Sequence, residues 1–332
     1  MKCKDAFVLF YHRVLPFDST LSISEKNFEK HIQYLHNAGF EFMDSKMFDA
    51  FFDGKLKENG KYVLLTFDDG WADNLFYATP ILKKYSAKAM LAISTSLVNN
   101  CEIRRNKETF NIIESQKALE AASYGHDYSQ FLSWNELTEM KDSGIWDFAS
   151  HGSSHFGIYY SLRKIRGFFP KQWHWTMQYA LGEKIFEGAP RAEFRSELST
   201  IKKKISPELI NLLKNAKSNK ERIKICKKFL NPLQEIESQD EFKKRVKNDL
   251  EKSCQLILNK LKVNPNSLVW PWGHYSELSE KIAIDVGFKF LFTTDRGKLN
   301  SNTNPFRIPR INAPKTLFHL KRRLKHGIFS II

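Results

Sequence analysis

"YVLLTFDDGWAD", Tyr62 to Asp73, is the stretch whose reading decides the fold. Tyr62–Phe67 is apolar except for Thr66, and it stops at Asp68-Asp69-Gly70. A short continuous apolar run predicts a strand of a parallel sheet, buried on both faces. Asp-Gly is common at a strand end, so the plain reading of the double aspartate is a turn. Two adjacent carboxylates also repel, and something must compensate them.

The flanks repeat the pattern. Ala6–Phe10 reads as a strand ending at Tyr11-His12-Arg13. Ser24 then caps a helix with apolar Phe28, Ile32 and Leu35, stopped by Gly39. Further helices are expected over Ser45–Phe52 and Ala72–Tyr85, followed by the strand "AKAMLAIST". Residues 99–130 are polar and irregular. "SWNELTEMKDSG" is a capped helix, and "IWDFAS" a strand that runs into "HGSSHFG". Downstream come the strand and turn "SLVWPWG", the helix "SELSEKIAIDVG", the strand "KFLFTT" and a last short strand near "FRIPRIN". Alternating strands and helices predict an α/β fold with a parallel sheet. The segment 157–265 breaks the rhythm with amphipathic helical stretches and reads as a mostly helical insertion.

The chain has 332 residues, enough for one large domain with an insertion or for two domains. Its net charge of +15 is unevenly spread. Residues 160–262 carry 24 Lys+Arg against 12 Asp+Glu, residues 307–332 carry 7 against none, and the rest carries 21 against 25. The basicity therefore sits in the insertion and the tail, which suits an anionic partner or simply solvated helix faces. No nucleic-acid motif accompanies it, and no nucleic acid is expected as a partner. Cys3, Cys101, Cys226 and Cys254 form neither a close pair nor a disulfide framework. The N-terminal apolar stretch is too short for a signal sequence, and no run approaches 18 apolar residues. A cytoplasmic protein with reduced thiols is expected.

Chemistry on an α/β sheet gathers at the C-terminal ends of its strands. Four such ends carry reactive types: Tyr11-His12-Arg13, Asp68-Asp69-Gly70, His151-x3-His155 and Trp270-Pro271-Trp272-Gly273. Two histidines in a tight loop plus a carboxylate from another strand form the ligand set of a catalytic Zn²⁺ or similar ion. One aspartate can then bind the metal while the other acts as general base on bound water. The cation also lets both stay ionised. This combination implies metal-assisted hydrolysis.

"LLTFDDGWADN", "SHGSSHF" and "WPWG" resemble the first three motifs of the polysaccharide deacetylases, the NodB-like carbohydrate esterases of family 4. "FVLFYHRVLPF" and "FEKHIQYLHNAGFEFMDSKMF" resemble the subgroup acting on poly-N-acetylglucosamine, in which the motif order is permuted. The resemblance covers about 1–156 and 266–316. It implies a distorted (β/α) barrel, with 157–265 as a basic helical insertion and 317–332 as a basic amphipathic tail. It implies removal of acetyl groups from sugars, with Asp68 as base and Asp69, His151 and His155 as ligands of a divalent metal. Zn²⁺ is the first expectation, with Co²⁺, Ni²⁺ or Fe²⁺ as alternatives. It gives the Trp272 backbone N–H to the oxyanion and makes His12 the general acid. The third motif usually carries an arginine that orients the base. Here it has none, and Arg310 of "FRIPRINA" is expected to substitute, with Arg307 competing.

Trp71, Trp134 and Trp270 are candidate sugar platforms, with core packing as the alternative. The tail combines Leu317, Phe318, Leu320, Leu324, Ile328 and Phe329 with four basic residues in Lys321–Lys325, a pattern expected of a membrane-surface anchor. Together these readings point to a cytoplasmic enzyme, peripheral at the inner face of the membrane. Its expected substrate is an N-acetylated cell-envelope or lipid-linked glycan of lipopolysaccharide or O-antigen type. The competing expectation is a catalytically impaired glycan- or membrane-binding protein on the same fold.

Overall fold

The computed structural model describes residues 5–326 except 58, 103, 123–125, 162–163, 171–184, 230–233 and 296. Strand β1 (Asp5–Tyr11) pairs in parallel with β2 (Lys61–Phe67) along its full length. Then follow β3 (Ala89–Ile93), β4 (Trp146–Ser150), β5 (Ser267–Val269), β6 (Phe290–Phe292) and β7 (Ile311–Asn312). Their order across the sheet is β6-β5-β4-β3-β2-β1-β7, and the short strand Glu41–Phe42 pairs with β2 outside that path. All these pairings are parallel.

The chain closes the sheet on itself with one extended segment. Ile308 bridges in parallel to Phe292 of β6, and three residues later Ile311 pairs with Leu9 of β1. Arg310 lies between these two contacts. The result is the distorted (β/α) barrel expected from the sequence.

The strands are buried on both faces, as their continuous apolar runs require. Phe7, Leu9, Val63, Leu65 and Phe67 pack outward under the helices, whereas Ala6, Val8, Leu64, Met90 and Ala149 fill the interior. Thr66 shares the parity of Leu64, and the same alternation extended one step beyond the strand reaches Asp68.

The expected helix starts hold. Ser24 caps α1 (Glu25–Asn37), and Ser133 forms a capping box on α2 (Trp134–Asp142). The expected helix over 72–85 differs: it opens as a π-turn, Asn74–Ala78, before becoming α-helical at Thr79–Lys84.

The insertion holds the expected helices at Pro207–Asn215 and Asn219–Phe229. Among the described residues it also holds three two-stranded antiparallel sheets that the sequence reading did not foresee: 157–161 with 193–196, 167–168 with 190–191, and 203–205 with 234–236. Tyr159, Phe168, Phe169, Leu209, Leu213 and Cys226 give it a separate hydrophobic cluster. Part of its aromatic stretch, 171–184, lies outside the described residues.

Helix α3 (Gln239–Leu261) is a barrel helix. Its buried stripe Phe242, Val246, Leu250, Ser253, Ile257 and Leu261 runs along one face, and its apolar members join the clusters under β5 and the main core. The boundary drawn at 266 therefore moves back to about 238. Helix α4 (Glu277–Val286) packs beside α3.

The tail is corrected as well. In α5 (Leu317–His326), Leu320 and Leu324 are buried in the main core and Leu317 packs against it. The apolar stripe read as a membrane anchor is spent on the barrel. Of the described tail, Phe318 is the exposed large apolar side chain, at 71%. Ile328 and Phe329 lie outside the described residues. No described helix is long and apolar enough to cross a membrane.

Candidate active site

Strand ends β1, β2, β4 and β5 meet at one rim. The double aspartate leaves β2 through a left-handed turn, with φ of +76° at Asp69 and +92° at Gly70. Gly70 adopts this without strain, whereas a non-glycine residue there costs about 1–2 kcal/mol. The turn is held from both sides. The Asp68 N–H donates to Tyr11 O at 3.0 Å, and the Ala72 N–H donates to Gln130 O at 2.9 Å. It sends the two carboxylates to different partners.

Asp68 is gripped by Arg310. Nη1 reaches Oδ1 at 2.7 Å and Nη2 reaches Oδ2 at 2.9 Å, with both side chains at most 5% exposed. The same guanidinium donates to Thr66 Oγ1 at 3.1 Å and to Thr293 O at 3.1 Å. This fork settles which arginine stands beside the base position, since Arg307 instead pairs with Glu280 at the surface. Burial pushes the Asp68 carboxyl up, but Arg310, helped by His151 and His12, brings it below the ordinary range. Asp68 is ionised at neutral pH and fixed in orientation.

Asp69 faces the histidines. Its Oδ1 lies 3.5 Å from His151 Nε2 and 3.7 Å from His155 Nε2. Its Oδ2 accepts the Trp71 indole N–H at 2.9 Å. Burial raises its pKa, but the neighbouring imidazoles of His151, His155 and His12 outweigh it, leaving a net lowering. Burial, reinforced by His151 and His12, lowers His155 to about 4 against the opposing pull of Asp69. His155 is therefore neutral near pH 7, the form a metal needs.

These three groups suit a metal: one carboxylate and two imidazoles, with ligand atoms all within 4.8 Å of one another. His151 is oriented for the task. A carbonyl oxygen can only accept, so the 2.7 Å contact with Val269 O puts the proton on His151 Nδ1 and presents the Nε2 lone pair. His155 is poised differently. The Trp272 indole N–H donates to its Nδ1 at 3.0 Å, so the neutral ring keeps its proton on Nε2.

His12 is near enough for its charge to act on Asp68, Asp69 and His155. Asn74 Nδ2 fixes its carbonyl at 3.0 Å. Trp272 also sits in the left-handed region, with φ of +62°. Two strained non-glycine residues at one rim are typical of a functional site.

Two of the three candidate sugar platforms are corrected. Trp71 and Trp270 are fully buried. Trp71 stacks on Phe131 and lies 4.4 Å under the Arg13 guanidinium, so it supports Asp69 and offers sugar no face. Trp270 packs in the cluster beneath α3, and Trp134 packs on the main core. The sequence reading missed the pairing of Arg13 with Asp73, fully buried at 2.7 Å, which ties the turn to β1. Asp73 also accepts the Val14 N–H at 2.9 Å. The signal was a third aspartate in "DDGWAD" opposite an arginine after His12. It missed the role of Thr66 too, which accepts from Arg310 two residues before Asp68.

A family model described as polysaccharide deacetylase matches residues 55–206, a span holding the double aspartate and both histidines. The chain is 21% identical over 243 residues to the poly-beta-1,6-N-acetyl-D-glucosamine N-deacetylase of Escherichia coli K12, covering 73% of this chain and 26% of that protein. To the protein of the same description in Staphylococcus epidermidis it is 28% identical over 167 residues, covering 44% and 47%. The chain thus spans about half the length, or less, of these curated relatives. A solved de-N-acetylase structure from Aggregatibacter actinomycetemcomitans superimposes with a TM-score of 0.64 at 19% identity, covering 96% of this chain and 98% of that one.

Proposed function

We propose that the chain is a polysaccharide deacetylase of the NodB-like, carbohydrate esterase family 4 type, which removes the N-acetyl group from an N-acetylglucosamine-type sugar and releases acetate. One observation carries this reading: a carboxylate locked by an arginine fork stands beside a carboxylate that faces two histidines. That is a base and a metal site on one turn.

Asp69, His151 and His155 would hold a divalent ion, Zn²⁺ before Co²⁺, Ni²⁺ or Fe²⁺. Such an ion polarises an acetyl carbonyl and acidifies water. Asp68 takes the proton of the attacking water, and Arg310 keeps its lone pair aimed. The Trp272 backbone N–H receives the developing oxyanion, an interaction of this kind being worth about 3–4 kcal/mol. His12 protonates the sugar nitrogen as the C–N bond breaks. Water's oxygen ends in acetate, and the amine leaves neutral.

The finer reading is a cell-envelope or lipid-linked glycan of lipopolysaccharide or O-antigen type, met at the inner face of the cytoplasmic membrane. What supports it is the basicity of the insertion and of exposed Lys321, Arg322 and Lys325. Co-sedimentation with anionic vesicles tests it, and binding no stronger than to neutral vesicles removes the membrane from the proposal.

The catalytic reading is tested by acetate release from partly N-acetylated glucosamine oligomers and cell-envelope glycans, comparing wild type with Asp68→Asn. Asp68→Asn is expected to keep the metal and lose at least about 100-fold in kcat. A wild type that frees no acetate from any of them, or an equally active variant, overturns the assignment.

A further inference from the structure

Two residues of α3, Asp249 and Ser253, reach the loop that carries the histidines, and Arg245, one turn earlier, holds the neighbouring segment at Glu197. Arg245, Asp249 and Ser253 are spaced by four and so share one helix face. Ser253 Oγ lies 2.8 Å from Ser150 Oγ, which in turn accepts the Gly152 N–H at 3.1 Å. Asp249 Oδ1 accepts the Ser153 N–H at 2.8 Å. Its Oδ2 accepts the Ser154 N–H at 3.2 Å and the Ser154 hydroxyl at 3.1 Å. Arg245 donates to Glu197 O and Thr200 O and forks onto Glu237.

On its other side the loop is pinned to the β3 end: the Thr95 N–H donates to Gly152 O, and the Ser96 N–H to Ser153 O at 2.8 Å. The loop cannot drift from Asp249 either. Gly152 has φ of +76°, and a Cβ there would meet Leu198 Cδ1 at 3.0 Å and Asp249 Oδ1 at 3.1 Å. Glu197 takes the Ser154 hydroxyl at 2.6 Å. Lys202 and Arg245 lie 3.3 and 3.7 Å from its carboxylate. Asp249, Ser150, Glu197 and the β3 end thus act directly on the three residues between His151 and His155, and Arg245 and Lys202 act on them through Glu197.

We infer that Asp249 is a positioning residue: through the backbone of Ser153 and Ser154 it sets the separation at which His151 and His155 meet a metal. The inference rests on the metal-site reading above. Asp249 touches neither histidine ring in the described bonds, so its effect passes through the loop. An acceptor for two successive amides costs a protein something here. Burial and the charge of Glu197 push the Asp249 carboxyl up to about 6.

The test uses the full chain, with Asp249→Asn and Asp249→Ala. Asparagine keeps one acceptor for the Ser153 N–H and turns an NH₂ toward the Ser154 N–H. Zn²⁺ affinity is measured by competition with a chromophoric chelator, the visible spectrum of the Co²⁺-loaded protein is recorded, and hydrogen exchange is followed in a peptide spanning 150–156. Asp249→Asn is expected to be as stable as wild type near pH 7 or more so, yet to bind Zn²⁺ more weakly. Asp249→Ala should lose roughly 10–100-fold in affinity. Both should shift the Co²⁺ bands and speed exchange in the loop. Folded variants with affinity within twofold of wild type and an unchanged Co²⁺ spectrum overturn the positioning role while leaving the proposed function intact. A wild type that takes up neither ion overturns both.

Discussion

Replacing Arg310 is the most informative single change. Arg310→Met keeps the length of the side chain and removes two charge-assisted bonds of 2.7 and 2.9 Å to Asp68. Both partners are almost fully buried, so the variant leaves an uncompensated carboxylate in the barrel. Breaking such a pair from one side costs about 3–5 kcal/mol. At roughly 2–4 °C per kcal/mol, that lowers Tm by roughly 6–20 °C. The sign with pH follows from Asp68. Its folded pKa is depressed, so the pair stabilises the protein above the ordinary carboxyl range and loses that contribution as pH falls through the folded value. The stability deficit of Arg310→Met is therefore greatest at neutral pH and shrinks in acid. Without Arg310, burial pushes the Asp68 carboxyl up, opposed by His151 and His12. The acid limb of the kcat/KM profile for acetate release should then move to higher pH, and kcat should fall by about 100-fold, the low end for losing a general base. Arg310→Lys restores charge without the fork and should fall between the two. A folded Arg310→Met with kcat/KM within threefold of wild type and an unmoved acid limb would refute the reasoning.

Four other perturbations probe the support of the site. Trp71→Phe keeps the ring on Phe131 but loses the 2.9 Å bond to Asp69 Oδ2, so Zn²⁺ affinity should drop about tenfold or more in a competition titration. Arg13→Met strands Asp73, whose pKa burial already raises, and should cost about 3–5 kcal/mol in denaturant unfolding, with part recovered in the double variant carrying Asp73→Asn. The raised Asp249 pKa means a stability contribution that is full below about pH 4 and lost as pH rises through about 6. Unfolding of the metal-free protein should show this decline, worth up to about 3 kcal/mol, and Asp249→Asn should flatten it. Zn²⁺ on His155 Nε2 needs the ring proton on Nδ1, where Trp272 now donates, so metal addition should change tryptophan emission and Trp272→Phe should reduce that change, leaving the part due to Trp71 beside Asp69.

How much of this was legible in the sequence depends on the range of the interaction. Strand ends and helix caps are local, and Ser24, Ser133 and the Asp68-Asp69-Gly70 turn were readable because a few adjacent residues decide them. The metal triad was readable from residue type, since two histidines in a glycine-serine loop have few other uses beside a double aspartate. Arg310 came from noticing an absence in "WPWG" and asking which later strand could fill it. The misread tryptophans and tail leucines share one cause: amphiphilic side chains have two uses, and only the tertiary fold selects between them. Trp71 and Trp270 were as fit for a sugar face as for the core. The α5 leucines were as fit for lipid as for the groove beside α1. Asp249 was hidden because its partners are backbone amides about a hundred residues earlier in the chain, and its polar stripe lies beside the apolar one that defined the helix. The small sheets of the insertion escaped because two- to five-residue strands leave no periodicity to read.

The most direct measurement is acetate release from an N-acetylated glucosamine oligomer by metal-free protein before and after one equivalent of Zn²⁺, with Asp69→Ala alongside. Turnover is expected to be absent without metal, to return with about one ion per chain, and to stay lost in Asp69→Ala. Undiminished turnover by the metal-free protein, or by Asp69→Ala, would contradict the assignment of Asp69, His151 and His155 as the centre of the site.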